Sequence, residues 1–123
     1  MSERKNQPFI RRLRFALAGL RVAWHSERSF RFQLLALAVV VLGCALVRLE
    51  PAWWAIVLMT SAMVISAELF NTALEHTVDC AAPEENEHAR RAKHAGAAAV
   101  LVASLAAAVV GAVLFGTALW HRW

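Results

Sequence analysis

Four polar side chains, Glu68, Asn71, Glu75 and Asp79, are spaced at i, i+3, i+7 and i+11 in the stretch AELFNTALEHTVD. At ~100° per residue they occupy a sector of about 80° on a helix. The stretch continues straight out of an apolar segment, residues 52–67. A helix leaving a membrane would therefore carry three carboxylates and an amide along one face. Acidic groups at that depth are costly and are functional candidates for that reason. Clustered carboxylates suit hard cations such as Mg2+, which take a few protein oxygens and leave other positions to water and phosphate. The set points toward cation or phosphate chemistry. The plainer use of the same groups is interhelical hydrogen bonding that only holds a bundle together.

Other residues fall at the same level. Glu27 precedes the first apolar run and could complete a carboxylate pair with Glu75 around a metal; alone it reads as a first-turn helix acid. Lys93, behind Arg90 and Arg91, opens the third apolar run. It is placed to anchor the inner edge of a membrane or to hold a phosphate as a point charge. His76 and His94 are near but lack zinc-ligand spacing, and they read as interfacial polar residues. The motifs G-x-x-x-x-G-K-[ST] and G-x-G-x-x-G and the HRD and DFG triplets do not occur. Any use of ATP must follow a different design from the common soluble kinases.

These residues need elements to hold them. Hydrophobic residues make up 59% of the 123, too many for an ordinary soluble domain. The excess lies in three runs, 34–49, 52–74 and 95–120, each approaching or exceeding the ~20 residues a helix needs to cross a bilayer. Before them, Phe9, Leu13, Ala16, Leu17, Leu20, Ala23 and Trp24 recur at helical spacing opposite Arg11, Arg12, Arg14 and Arg21. That is a basic amphipathic helix suited to the interfacial plane, with Pro8 in its first turn. The expected architecture is all-α, a single integral-membrane domain over 1–123. It comprises a surface helix at 8–25 and transmembrane helices at 29–49, 52–80 with a cytoplasmic extension, and 88–120. Ser26 is placed to cap the second helix. Glu84, Glu85 and Glu87 suit the first turn of the last one, whose small residues favour close packing.

Charge sets the orientation. Arg4, Lys5, Arg11, Arg12, Arg14, Arg21, Arg28 and Arg31 precede the first span, and Arg90, Arg91 and Lys93 lie in the second loop. Only Arg48 and Arg122 fall on the other side. Short cytoplasmic loops collect Lys and Arg. The expectation is an inner-membrane protein with a cytoplasmic N-terminus and a periplasmic C-terminus. The net charge of +4 then reflects topology and anionic lipid rather than nucleic acid. Trp53, Trp54, Trp120 and Trp123 read as interfacial anchors. Residues 1–7 read as a frayed polar start, with no convincing cleavable signal. Cys44 and Cys80 fall on opposite sides of the membrane, where they cannot pair, and read as packing residues.

The stretch from Glu68 to Asp79 resembles the E-x-x-N-[ST]-A-[IL]-E-x-x-V-D signature of the prokaryotic diacylglycerol kinase family. Gly19 to Arg31 is similar to that family's surface-helix segment, and Arg91-Ala-Lys93 followed by Gly96 to its third-span start. The resemblance extends over roughly residues 9–118. It implies a homotrimer of three-span protomers that uses MgATP to phosphorylate a membrane lipid alcohol, either diacylglycerol or undecaprenol. It also implies roles: Glu68 as general base on the lipid hydroxyl, and Glu27 and Glu75 as Mg2+ ligands beside the ATP phosphates. Asn71 would orient the site, Lys93 would contact phosphate, and Asp79 would support the nucleotide end. One position departs from the pattern: His94 follows Lys93 where the family has Asp, which puts a histidine among the nucleotide-binding residues.

Overall fold

The computed structural model describes residues 8–121. Four helices follow one another: α1 (Phe9–Ser26), α2 (Arg28–Leu46), α3 (Pro51–Ala81) and α4 (Glu87–Trp120). No strand occurs among the described residues. The all-α expectation holds, and α2, α3 and α4 are each long and apolar enough to cross a membrane. Arg4, Lys5, Arg122 and Trp123, with the polar start at 1–7, lie outside the described residues.

Pro8 is the N-cap of α1, where its fixed φ and missing N–H cost nothing. Phe9, Leu13, Leu17 and Leu20 are exposed, and Ala23 is the buried residue of this helix. An unburied apolar stripe opposite arginines suits a helix lying at a membrane surface. Ser26 does not cap α2. It is the last residue of α1, and Glu27 alone, in extended conformation, turns the chain from one helix into the next. One extended residue suffices for the turn, so the capping position falls one residue later than expected. Arg31 steadies this corner: its Nη1 donates to the Trp24 carbonyl at 2.6 Å, satisfying one of the carbonyls left open at a helix C-terminus.

The α2–α3 turn is tight. Arg48 adopts φ 51°, Leu49 N–H bonds Cys44 O at 3.1 Å, and Arg48 N–H bonds Ala45 O at 3.2 Å. These two bonds form a Schellman motif with arginine at the position glycine usually fills. Leu49 then folds into a cluster with Cys44, Val57 and Leu114, bordered by Trp54 and Phe115. Pro51 opens α3 in its first turn.

With 31 residues, α3 is about 46 Å long, against roughly 30 Å of hydrocarbon. An α3 crossing upright from Pro51 would leave its last turns beyond the hydrocarbon. Asn86 caps α4, its side chain accepting from Ala89 N–H at 2.9 Å. Glu87 lies in the first turn of α4. Glu84 and Glu85 stay in the connection before the cap, short of the first turn expected for them. The main packing is α3 against α4. Midway, α2 leaves a cavity of about 350 Å3 beside that pair, walled by apolar groups with Gln33, Thr60, Ser61 and Ser104. Gln33 Nε2 bridges it to Ser104 Oγ at 3.1 Å. Cys44 is buried as expected. Cys80 is exposed, because it sits in the last turns of α3, beyond the apolar stretch, and so it is not a packing residue.

Candidate functional site

The four polar residues of α3 sit on one face but in different surroundings. Glu68, roughly 26 Å along the helix from Pro51, is only 2% exposed. A buried carboxylate requires partners. Ser29 Oγ, from the first turn of α2, donates to Glu68 Oε1. Thr72, also buried, donates to the Glu68 main-chain carbonyl at 3.0 Å, which secures the helix and not the carboxylate.

One turn on, Asn71 Nδ2 donates to Glu75 Oε1 at 2.9 Å, and both residues are half-buried. Asn71 Oδ1 is buried without a hydrogen-bond donor. Gly96 of α4 lies directly against it: a Cβ there would come within 2.3 Å of Asn71 Oδ1 and 2.8 Å of Leu74 Cδ2. The absence of a side chain at Gly96 is what lets α4 approach α3 at this level.

At the exposed end, Lys93 Nζ meets Asp79 Oδ1 at 2.5 Å. Arg90 and Arg91 both bond Glu87 on the exposed first turn of α4. That leaves Lys93 as the cation set against α3. Asp79, Lys93 and His94 line a cavity of about 360 Å3 with Glu85, Asn86 and Arg90. Glu27 stands at the α1–α2 corner, half-buried. The structure thus joins Glu68 to α2, Asn71 to Glu75 and Asp79 to Lys93, and places His94 in the cavity of the last pair. It records no bond between Glu27 and the other acids.

Among the described residues no three His, Cys, Asp or Glu side chains converge on a common point for a metal. Such a donor set is wrong for a closed protein cage. Mg2+ usually takes one or two carboxylates and completes its shell with water and substrate phosphates.

Spacing alone missed three residues. Ser29 and Thr72 look like ordinary helix residues until α2 and α3 pack. Gly96 figured in the resemblance at the start of the third span and as one small residue among many, without any sign that it would meet Asn71. The one available signal was that Ser29 is a hydroxyl two residues after Glu27, at the start of an apolar run.

The graded acids of α3, the α1–α2 corner with Glu27 and the glycine-mediated α4 contact lie within residues 14–115, which match the model of the prokaryotic diacylglycerol kinase family. The chain belongs to the prokaryotic diacylglycerol kinase family. It is 38% identical over 102 residues to a diacylglycerol kinase of Synechocystis sp., covering 82% of this chain but 58% of that protein, so the chain spans less than two thirds of that relative's length. It is 36% identical over 90 residues to the undecaprenol kinase of Bacillus subtilis, covering 73% of each. Identity to the diacylglycerol kinase of Escherichia coli K12 is 30% over 109 residues, covering 89% of this chain and 86% of that one. Membership of this prokaryotic diacylglycerol kinase family agrees with the three spanning helices and with the resemblance carried by Glu68 to Asp79.

Proposed function

We propose that the chain is an ATP-dependent lipid kinase that phosphorylates diacylglycerol to phosphatidic acid at the cytoplasmic face of the inner membrane. One observation carries the reading: the polar groups of α3 are graded along its axis. Glu68 is buried at the edge of the apolar stretch, Asn71 and Glu75 are half-buried, and Asp79 is exposed and held by Lys93. A lipid alcohol brings its hydroxyl to the level of Glu68, and a nucleotide arrives from water at the level of Asp79, Lys93 and His94.

Phosphoryl transfer depends on positioning and charge neutralisation more than on covalent work by the protein. Glu68 takes the proton of the lipid hydroxyl. The lipid oxygen forms a bond to the γ-phosphorus, the bond from that phosphorus to the bridging oxygen breaks, and its electron pair leaves with ADP. Lys93 sets a positive charge beside the phosphates, and Asn71 holds Glu75 in place. Asp79 orients Lys93, and His94 supplies imidazole hydrogen bonding at the position where the family pattern that the sequence resembles has Asp. Glu27 and Glu75 would hold Mg2+, which when bound neutralises charge on the phosphate oxygens.

The assembly is a homotrimer with a cytoplasmic N-terminus and a periplasmic C-terminus. Undecaprenol is the second reading for the acceptor, favoured by the 36% identity to an undecaprenol kinase. Purified protein with MgATP and either lipid in mixed micelles decides between them. Phosphorylated product from diacylglycerol supports the first reading and product from undecaprenol alone the second. No product from either leaves a non-catalytic lipid-binding member of the family.

A further inference from the structure

Glu68 and Thr72 are the buried polar residues among those described. Thr72 is satisfied within its own helix, by the Glu68 carbonyl. The Glu68 carboxylate is different: its recorded partner comes from another helix, Ser29 of α2. A carboxylate has two oxygens, each able to accept. Ser29 occupies Oε1 and leaves Oε2. The last torsion of a glutamate is broad and roughly two-fold, so without an external donor either oxygen could face the substrate and neither would be held there.

We propose that Ser29 is a positioning residue for the Glu68 base, anchoring Oε1 so that Oε2 faces the lipid hydroxyl. The inference rests on the lipid-kinase reading above. Donation from a hydroxyl to an ionised carboxylate is a charge-assisted bond and is among the stronger ones available. Ser29 keeps its own proton throughout, and the lipid proton passes to Oε2. The same first turn of α2 follows Glu27 directly, so one turn ties the orientation of the base to the position of a proposed metal ligand. Small displacements in such a constellation are costly in rate. Ser29 is itself exposed, so truncating it opens no core cavity and a catalytic effect can be separated from a folding effect.

The test uses four full-length variants, Ser29→Ala, Ser29→Thr, Glu68→Gln and the double variant Ser29→Ala/Glu68→Gln. Each is assayed with MgATP and whichever of diacylglycerol or undecaprenol the unmodified chain phosphorylates. Ser29→Ala should lower kcat about tenfold or more, the scale of losing one hydrogen bond to a charged group. Both KM values should hold, and any drop in the thermal midpoint should be only the modest one expected when a buried carboxylate loses one hydrogen-bond donor. Ser29→Thr, which keeps the hydroxyl, should recover most of the rate. In the Glu68→Gln background, removing the Ser29 hydroxyl should cost nothing further. Unchanged kcat in Ser29→Ala overturns the proposal, as does a loss that appears only in KM or that threonine does not rescue. An active Glu68→Gln overturns the base assignment itself, so failure of the wider reading is visible apart from failure at Ser29.

Discussion

Glu68 and Glu75 share a face of α3 but not an environment, and their proposed roles diverge accordingly. Glu68 is sealed at the edge of the apolar stretch and held by Ser29, whereas Glu75 is half-buried and held by Asn71. Glu68→Gln keeps the shape and removes the proposed base, so kcat should fall by roughly 10²–10⁴, the usual worth of general-base catalysis. ATP affinity, read by equilibrium binding, should be nearly unchanged. Glu75→Gln should instead weaken Mg2+-dependent nucleotide binding. Equal nucleotide affinity in the two variants would contradict this division of labour. The acidic face was readable from spacing alone, because 3.6-residue periodicity projects i, i+3, i+7 and i+11 onto one side of any helix. The donor from Ser29 was not readable, because its place two residues after Glu27 does not say which helix its hydroxyl reaches.

The α2–α3 turn and the α3–α4 contact both favour glycine, the first for its backbone freedom and the second for its missing side chain. Arg48 sits at φ 51°, a region that costs an L-residue roughly 1–2 kcal/mol. Arg48→Gly should relieve that cost, offset in part by glycine's greater freedom in the unfolded chain. The net expectation is a gain of somewhat under ~1 kcal/mol, seen as a higher thermal midpoint in detergent. Gly96→Ala should do the reverse. Alanine favours a helix interior by about 1 kcal/mol over glycine. That gain is outweighed, because its Cβ would lie 2.3 Å from Asn71 Oδ1 and α4 would have to move off α3. Overpacking of this kind costs typically ~1–3 kcal/mol, and the shift would also move Lys93 relative to Asp79. Both stability and kcat/KM should drop, and a stable, fully active Gly96→Ala protein would show that the close approach is dispensable.

The three long helices bury little of their apolar surface against one another, leaving Leu35, Met59, Val102 and Val109 outward among many others. Lipid can cover that surface, and in the proposed trimer neighbouring copies would share it; cross-linking in native membranes should then stop at three chains. Orientation can be read with the two cysteines. Cys80 is exposed and Cys44 buried, so a membrane-impermeant maleimide should label Cys80 in inside-out vesicles, spare it in right-side-out ones, and miss Cys44 in both. Composition and periodicity were enough to specify the number of spanning helices, the interfacial helix and the acidic face. These follow from hydropathy and helical geometry, which are local properties of the chain. Packing decided the rest: that Ser26 gives way to Glu27 at the α1–α2 corner, that Asp79 pairs with Lys93, that Gly96 admits α4 against Asn71, and that Ser29 holds Glu68. The corner is a matter of one residue's backbone, and the other three depend on which residues of different helices meet at the same depth, which no spacing along one helix encodes.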